Sequence, residues 1–510
     1  MSAEAGTPGA TPKPTTGGPA DEGLGREVWM VAAVVVIGVI MSILDTTIVN
    51  VALDTLSREL DADLATIQWV STGYLLSLAA VIPLTGWMVE RFGAKRIWMV
   101  SITLFGIGSA LCGLAWSADS LIFFRILQGA GGGMIMPVGM TLLAQTAGPA
   151  KVGRVMSVVG VPMLLGPILG PVLGGLIVDN ASWRWIFYVN VPIAAVALYL
   201  GHRILSETSG RADAGRLDLR GFLLLSPGLA GIVFGLSESE TQGGFSDPIA
   251  YGPILAGLVL VGLFVRHSLS FSRPLIDIRL FRGRGFSSAA ATTFLLGGAL
   301  FGVMIILPLY YQLARGESAL TAGLLMAPQG IGAAAAMPIA GRLSDMSFGN
   351  KIPLIGVAAM TIATIPFAFL EPDTSYGLLG GILVLRGLGL GFAMMPSMAA
   401  AYATLEHAAV PRATSALNVV NRVGGSIGTA LLAVILQGQL SSQLGSGEGS
   451  SAFGDIPDSV REAAGPQLAE AFSSTFGWAI ALSAIALIPA VILARTPRRP
   501  VPVAAPPPSD

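Results

Sequence analysis

Two side chains of opposite charge lie inside long apolar stretches of the sequence, where a charge is energetically costly. Asp45 is the only acid well within such a stretch, and Arg125 lies near the start of another. A charge at the centre of a bilayer costs about 2.5–3.5 kcal/mol on insertion scales, so it usually has a partner or a function. Arginine keeps its proton in practice, so we expect Asp45 to exchange a proton while Arg125 holds it ionised. A permanent structural ion pair is the alternative.

The expected depths of these two residues allow them to meet. Counted from Val28, Asp45 lies about 25 Å along a helix that rises 1.5 Å per residue. Arg125 lies a few residues into the fourth apolar segment, which runs in the opposite direction, so both belong to the same half of the membrane. Gln128 is three residues from Arg125 and shares its helix face. It is expected either to contact a substrate or to hydrogen-bond another helix.

Long helices must position these residues, and the composition predicts such helices along the whole chain. Of 510 residues, 53% are hydrophobic and only 12% are charged, whereas soluble domains carry about 25% charged residues. A helix needs roughly 20 apolar residues to cross the hydrocarbon layer, and about fourteen segments qualify. We predict an all-α membrane protein with spans near 28–49, 67–88, 97–116, 121–143, 155–177, 186–204, 219–237, 250–268, 286–311, 320–342, 352–370, 377–402, 413–436 and 474–494.

The placement of positive charge predicts the orientation of these spans. Of the 29 Lys and Arg residues, 22 fall in alternate loops or in the tails. The exceptions are Arg58, Arg184, Arg315 and Arg461 in the other loops, and Arg125, Arg386 and Arg422 within spans. Because basic loops stay on the cytoplasmic side, we expect a multi-pass protein of the cytoplasmic (inner) membrane with both termini inside.

Several classes of function are disfavoured by the composition. A net charge of −1 provides no overall basic character for binding nucleic acid. Cys112 is the single cysteine, and the three histidines lack the spacing of metal ligands. No lysine follows a glycine, as a phosphate-binding loop requires. We therefore expect no metal, no cofactor and no enzymatic active site, and we expect a monomer whose partners are the lipid bilayer, small molecules and protons.

A loose internal repeat predicts how the spans are grouped. The segment 86–96 (GWMVERFGAKR) follows the second span, and 341–351 (GRLSDMSFGNK) follows the tenth. Two related six-span halves, 28–204 and 286–494, with two inserted spans in 219–268, explain this pattern. We also expect a disordered cytoplasmic tail at 1–27, a long external loop at 437–473 and a Pro-rich cytoplasmic tail at 495–510.

The repeated segments place glycines and charges at one rim of the membrane. Ion pairs at such a rim contribute only about 0–1 kcal/mol each, which suits a gate that opens repeatedly. The predicted inner gate comprises Gly86, Glu90, Arg91, Gly93, Lys95, Arg96, Gly341, Asp345, Gly349 and Lys351. Simple orientation of the chain by its basic loops is the alternative role.

Five motifs in order resemble the major facilitator superfamily, specifically its fourteen-span drug:proton antiporter branch (QacA/EmrB-like exporters). They occupy 44–53, 86–96, 125–129, 166–175 and 183–192, and the resemblance extends over nearly the whole chain. Two positions depart from the family pattern. Glu90 stands where an aspartate is usual, and Asp54 replaces the proline that closes the first motif.

The resemblance implies proton-coupled efflux of lipophilic or cationic drugs by alternating access, with the proton gradient as the energy source. It also implies that 166–175 is the antiporter motif, a hinge or seal between the halves; tight packing is the alternative. The motif residues are Gly166, Pro167, Gly170, Pro171, Gly174 and Gly175. A dedicated exporter of an endogenous lipid or secondary metabolite is an alternative function, and a non-transporting membrane enzyme or sensor is a remote one.

Polar, aromatic and methionine residues within the spans are candidates for a substrate cavity. Methionine and aromatic side chains adapt to varied ligand shapes, but each can equally pack in the core or face lipid. The candidates are Tyr74, Gln128, Met134, Phe294, Tyr310, Asn418, Asn421 and Arg422. Arg386 in the twelfth span is expected to form a similar polar patch, with structural hydrogen bonding as an equal alternative.

Overall fold

The computed structural model describes residues 24–148, 151–207, 215–241, 244–346, 348–403, 405, 409–444 and 464–496. Every regular element in these residues is helical. Most of the two predicted tails therefore lies outside the described residues, and so does residue 461, which the charge pattern assigned to an external loop.

Thirteen helical segments in the described chain are long and apolar enough to cross a membrane. They are α1 (Arg26–Val51), α2 (Thr66–Phe92), α3 (Ala94–Gly113), α4 (Ala118–Ala147), α6 (Trp185–Ile204), α7 (Leu219–Ser239), α8 (Pro248–Ser270), α9 (Arg284–Ala314), α10 (Leu320–Asp345), α11 (Gly349–Phe369), α12 (Tyr376–Tyr402), α13 (Val410–Gln443) and α14 (Gly465–Arg495). Helix α5 (Val152–Asn180) has 29 residues, a length of about 44 Å, and no charged residue from 155 to 178. The predicted count of about fourteen spans is confirmed.

Local sequence explains where several helices begin. The Asp63 carboxylate accepts a hydrogen bond from Thr66 N at 2.7 Å at the start of α2. Ser117 and Ser120 form a reciprocal capping box before α4. Such caps satisfy backbone N–H groups that have no partner within the helix. Gly93 has φ 89°, a conformation that suits glycine, at the tight turn between α2 and α3.

The helices form two halves, α1–α6 and α9–α14, which use the same packing pattern. Helix α1 packs on α5 as α9 packs on α13, and α4 lies against α2 and α3 as α12 lies against α10 and α11. Glycines on α4 and α12 make these contacts close. A Cβ at Gly129 would lie 2.6 Å from the Tyr74 carbonyl of α2, and one at Gly387 would meet the Gln329 carbonyl of α10. The predicted repeat of two six-span halves is thus visible in the helix packing.

The inserted helices α7 and α8 lie against one side of the bundle. Helix α7 packs on α2 of the first half and on α13 of the second, whereas α8 packs mainly on α7. Ser226 donates a hydrogen bond to the Ala80 carbonyl at 2.6 Å, and the rings of Trp69 and Phe234 stack at 5.6 Å. Helix α7 therefore bridges the two halves on the side where α2 faces α13.

The predicted external loop at 437–473 is wrong at both ends. The helix of α13 continues to Leu444, and α14 begins at Gly465. Leu468 and Phe472, one turn apart, are buried in the core of the second half, which explains why the helix extends past the continuous apolar run. Residues 445–463 lie outside the described part of the chain.

Candidate functional site

Asp45 and Arg125 form an ion pair in the interior of the first half. Arg125 Nη1 lies 2.6 Å from Asp45 Oδ2, and the side chains are 1% and 0% exposed, respectively. The other carboxylate oxygen, Oδ1, accepts hydrogen bonds from Gln128 Nε2 at 2.8 Å and from Asn190 Nδ2 at 2.9 Å. The predicted contact between Asp45 and Arg125 is present, and side chains of α1, α4 and α6 complete it.

Further contacts fix the position of the Arg125 guanidinium. Its Nε donates to the Val70 carbonyl of α2 at 3.1 Å, and its Nη1 also donates to Gln128 Oε1 at 2.8 Å. The Tyr74 ring lies over the guanidinium at 4.0 Å from Cζ to centroid, a favourable cation–π geometry. The guanidinium would therefore keep several partners if its bond to Asp45 were lost.

Asn190 is the member of this site that sequence reasoning missed. It is buried at the start of the regular part of α6, where Nδ2 also lies 3.1 Å from Ser109 Oγ, and Ser109 donates to the Phe187 carbonyl at 2.8 Å. Asn190 stands inside the motif 183–192, which was used only to recognise the family. An amide within an apolar segment was the available signal.

The second half contains a related arginine without a carboxylate. Arg386 on α12 donates to Thr364 Oγ1 at 3.3 Å, to Gln329 Oε1 and to the Ala299 carbonyl at 3.1 Å. These partners belong to α11, α10 and α9, the counterparts of α3, α2 and α1. No ion pair of Arg386 occurs among the described residues. Both halves therefore contain a buried arginine at the corresponding position, but among the described residues only the arginine of the first half is paired with an acid, Asp45.

A small cavity, about 20 Å³ in volume and called here the central cavity, lies between the two halves. Its walls come from α1, α2 and α4 of the first half and from α13 of the second. The residues lining it include Ser42, Leu78, Met136, Asn418 and Arg422. Ser42 Oγ lies 3.5 Å from the Tyr74 hydroxyl, so Tyr74 connects the wall of this cavity with Arg125.

The predicted cavity residues are distributed differently from expectation. Asn418 and Arg422 line this cavity, and Gln128 instead belongs to the Asp45 network. Asn421 Nδ2 donates to the Thr293 carbonyl at 3.4 Å and links α13 to α9. Three others do not line the cavity: Met134 is a core residue, Phe294 is half-buried beside Gly424, and Tyr310 donates to the Glu371 carbonyl at 3.1 Å near the far end of α9.

The halves contact each other at the end of the bundle that carries the basic loops, called here the basic end. Glu90, in the last turn of α2, accepts a hydrogen bond from Arg412 Nη2 at 2.8 Å at the start of α13. Asp345, the last residue of α10, accepts hydrogen bonds from Gly153 N at 2.8 Å and Arg154 N at 3.3 Å at the start of α5. Each repeated acid therefore binds the first turn of a helix in the opposite half, where a negative charge is also favoured by the helix dipole.

The other residues of the predicted gate make contacts of different kinds. Gly86 lies close enough to α13 that a Cβ would be 3.1 Å from Arg412 Cα, and Gly341 similarly faces the start of α5. Lys95 donates to the His202 carbonyl at 3.0 Å within the first half, and Arg96 is exposed beside Glu207. Gly349 and Lys351 belong to the short 3₁₀ turn that begins α11. The partners Arg154 and Arg412 were not predicted, because the sequence does not distinguish them from other loop bases.

The glycine motif of α5 packs against α1 next to Asp45. A Cβ at Gly166 would meet Ile43, one at Gly170 would meet Thr47, and one at Gly174 would lie 3.1 Å from the Ile48 carbonyl. Gly175 has open space around it. Three of the four motif glycines thus bring the backbone of α5 onto the turn of α1 that carries Asp45.

These features define a membrane transporter, and comparison with known proteins identifies its family. Residues 35–429 match the family model of the Major Facilitator Superfamily. The chain therefore belongs to this superfamily of secondary transporters and spans the membrane many times.

Its relatives include multidrug exporters. The chain is 39% identical over 482 residues to the multidrug resistance protein B homolog of Mycobacterium tuberculosis strain H37Rv, covering 91% of this chain and 89% of that protein. It is 30% identical over 397 residues to the multidrug export protein EmrB of Escherichia coli K12, covering 77% of each. Among solved structures, the human organic anion transporter MFSD10 aligns with a TM-score of 0.59 at 16% identity, covering 92% of this chain and 100% of that one. That likeness concerns the fold alone.

Proposed function

We propose that the protein exports lipophilic, drug-like compounds across the cell membrane in exchange for protons, by alternating access. The observation that carries this proposal is the buried Asp45–Arg125 pair and its connection through Tyr74 to the central cavity. The multidrug relatives, at 39% and 30% identity, support the kind of cargo. The contacts at the basic end support a two-state gate.

Protonation of Asp45 is the proposed coupling event. A proton on Asp45 removes the negative charge that Arg125 Nη1 contacts at 2.6 Å. Arg125 then keeps Val70 and Gln128 as acceptors and can move relative to α1. Tyr74, which covers the guanidinium, moves with it and changes the cavity wall at Ser42. Binding of substrate at that wall acts on the same equilibrium in the opposite direction.

The basic end is proposed to face the cytoplasm, with both termini on that side, because basic loops stay inside. A cysteine at exposed Ser272, between α8 and α9, is then labelled by an impermeant maleimide only in everted vesicles. A cysteine at exposed Glu59, at the opposite end, is labelled only in right-side-out vesicles. The reverse result would overturn the orientation. We also propose a monomer that needs no cofactor.

The D45N substitution tests the coupling. Asparagine keeps the size of the side chain but cannot exchange a proton at neutral pH. In everted vesicles with an imposed pH gradient, we expect dye transport by D45N to fall at least tenfold, with normal amounts of protein in the membrane. The matched control is D119N, because Asp119 is exposed in the first turn of α4. Gradient-driven transport by D45N at the rate of D119N would remove Asp45 from the mechanism.

A further inference from the structure

The central cavity holds one ionisable side chain, and it is a cation. Arg422 and Asn418 lie one helical turn apart on α13 and both line the cavity, which has no acidic residue in its wall. Within the described chain, the Arg422 side chain makes no hydrogen bond and no ion pair. A guanidinium has five N–H donors, so Arg422 offers these donors to whatever occupies the cavity.

Arg125 and Arg386, which are buried within their helices, have partners that Arg422 lacks. Arg125 is neutralised by Asp45, and Arg386 is surrounded by neutral oxygen acceptors from three helices. Arg422 is partly exposed and has no such partners, so it loses part of its hydration without compensation, and an incoming anion relieves that cost. The fork geometry of a guanidinium also matches a carboxylate or sulfonate group through two parallel hydrogen bonds.

The charges around the cavity add to this preference. Asp45 is the acid in the interior of the described spans, and its oxygens already accept from Arg125, Gln128 and Asn190. Glu90 and Asp345 are engaged at the basic end. The field at the cavity is therefore positive, which attracts anions and repels cations.

We propose that Arg422 binds an acidic group of the transported compound, so that the preferred cargo is an amphiphilic organic anion, a carboxylate or sulfonate with an apolar body. In the described state the cavity, at about 20 Å³, is too small for such a compound, so we expect it to widen on binding and bring the apolar body onto Leu78, Ile82 and Met136. This inference rests on the proposed export function and specifies its substrate class. It differs from the cationic substrates that the family resemblance implied.

The test uses three compounds that share one skeleton and differ in charge: 1-pyrenebutyrate, its neutral amide and 1-pyrenebutylamine. Their binding to purified full-length protein in nanodiscs is followed by pyrene fluorescence, with empty nanodiscs as the correction for lipid partition. The wild-type protein is expected to bind the carboxylate most tightly and the amine most weakly. R422Q is expected to weaken carboxylate binding at least tenfold, the usual size of a charge-assisted hydrogen bond, and to leave the amide within twofold.

Two controls keep the outcomes separate. R422K retains the charge and is expected to keep most of the carboxylate preference, whereas R266Q, at an exposed position on α8, is expected to change nothing. Equal binding of the three compounds by the wild type, or equal loss of all three in R422Q, would overturn the inference. Even if R422Q does not fold, the wild-type order still decides the question. Failure of the pH gradient to move any of the compounds would instead count against the export function.

Discussion

At the scale of single residues, the Asp45 carboxylate is held by three neutral or cationic donors that come from two helices. Asn190 is the donor most distant in the sequence, 145 residues from Asp45. Its Nδ2 also contacts Ser109 Oγ, so the amide joins α1, α3 and α6 at one point. These two hydrogen bonds fix the Asn190 amide, so Asn190 is expected to help hold the Asp45 carboxylate in position.

Removal of Asn190 is therefore expected to weaken coupling without abolishing it. A hydrogen bond to a charged group contributes about 1.5–3 kcal/mol, so N190A should lower gradient-driven transport by about tenfold. The measurement is dye transport in everted vesicles over a range of internal and external pH. N180A is the control, since the Asn180 side chain is exposed and bonds only within its own helix, to Leu176. Transport by N190A at the rate of N180A across this pH range would exclude this role for Asn190.

The sequence predicted the charged members of the site better than the neutral ones. Asp45 and Arg125 were identified because a charge within an apolar helix is rare and helical rise placed both at one depth. The sequence did not decide between the two roles of Gln128, because an amide on a helix face can hydrogen-bond equally well to a ligand or to another helix. Arg412 and Arg154 were missed because their partners, Glu90 and Asp345, lie in the other half of the chain.

At the scale of helices, the contact between α1 and α5 depends on small side chains at three positions. Helix α5 places Gly166, Gly170 and Gly174 on one face, four residues apart, and α1 approaches that face with Ile43, Thr47 and Ile48. Thr47 Oγ1 lies 3.4 Å from the Gly166 carbonyl. Close backbone approach of this kind is how small residues stabilise helix pairs in lipid. The contact also fixes the height and rotation of the turn that carries Asp45.

A single methyl group on this face is expected to separate the two helices. In G170A the new Cβ would overlap Thr47, and overpacking of this kind costs about 1–3 kcal/mol. We expect a melting temperature lower by a few degrees and a severalfold loss of gradient-driven transport. G175A adds the same methyl group to the same helix in open space, and it is expected to behave as the wild type. Equal behaviour of the two variants would mean that the α1–α5 contact does not control transport.

The span positions were largely predictable, because hydropathy and length alone specify a helix that crosses lipid. The prediction failed where packing rather than hydropathy decides. Residues 465–473 contain Gln467, Glu470 and Ser473, so they did not resemble a span. They are helical because Leu468 and Phe472 fill the core around Tyr310.

At the scale of the whole molecule, the repeat explains the contacts between the halves. The acid in the last turn of α2 binds the start of α13, and the acid at the end of α10 binds the start of α5. The two contacts are equivalent in the repeat: each becomes the other when the first half is superimposed on the second, as α4 is on α12. Both lie at the basic end, where Ser415 Oγ also donates to the Ile82 carbonyl at 2.7 Å. The described state is therefore one in which the basic end is closed, and its opening requires both sets of contacts to break.

Charge reversal at one of these contacts is expected to favour opening of the basic end, and a second reversal is expected to restore closure. E90R places a second cation opposite Arg412, whereas E90R/R412E exchanges the two charges and keeps the ion pair. Closure can be followed with an S415C reporter in a C112A background, because Ser415 and Cys112 are both buried. A rim ion pair contributes only about 0–1 kcal/mol, and the reversal adds repulsion. We therefore expect labelling of the reporter by an impermeant maleimide in everted vesicles to accelerate severalfold in E90R.

The double variant tests whether the Glu90–Arg412 ion pair itself keeps the basic end closed. With E90R/R412E, the labelling rate should return to within about twofold of the reporter alone, because the Coulomb attraction is the same for either order of the charges. An exposed pair at the same end, Arg96 and Glu207, provides the matched control: R96E should leave the rate unchanged, since both side chains are largely exposed and lie on one half. If E90R alone labelled no faster than this control, or if the double variant stayed fast, closure would depend on backbone packing at Gly86 and Gly341 rather than on the ion pair.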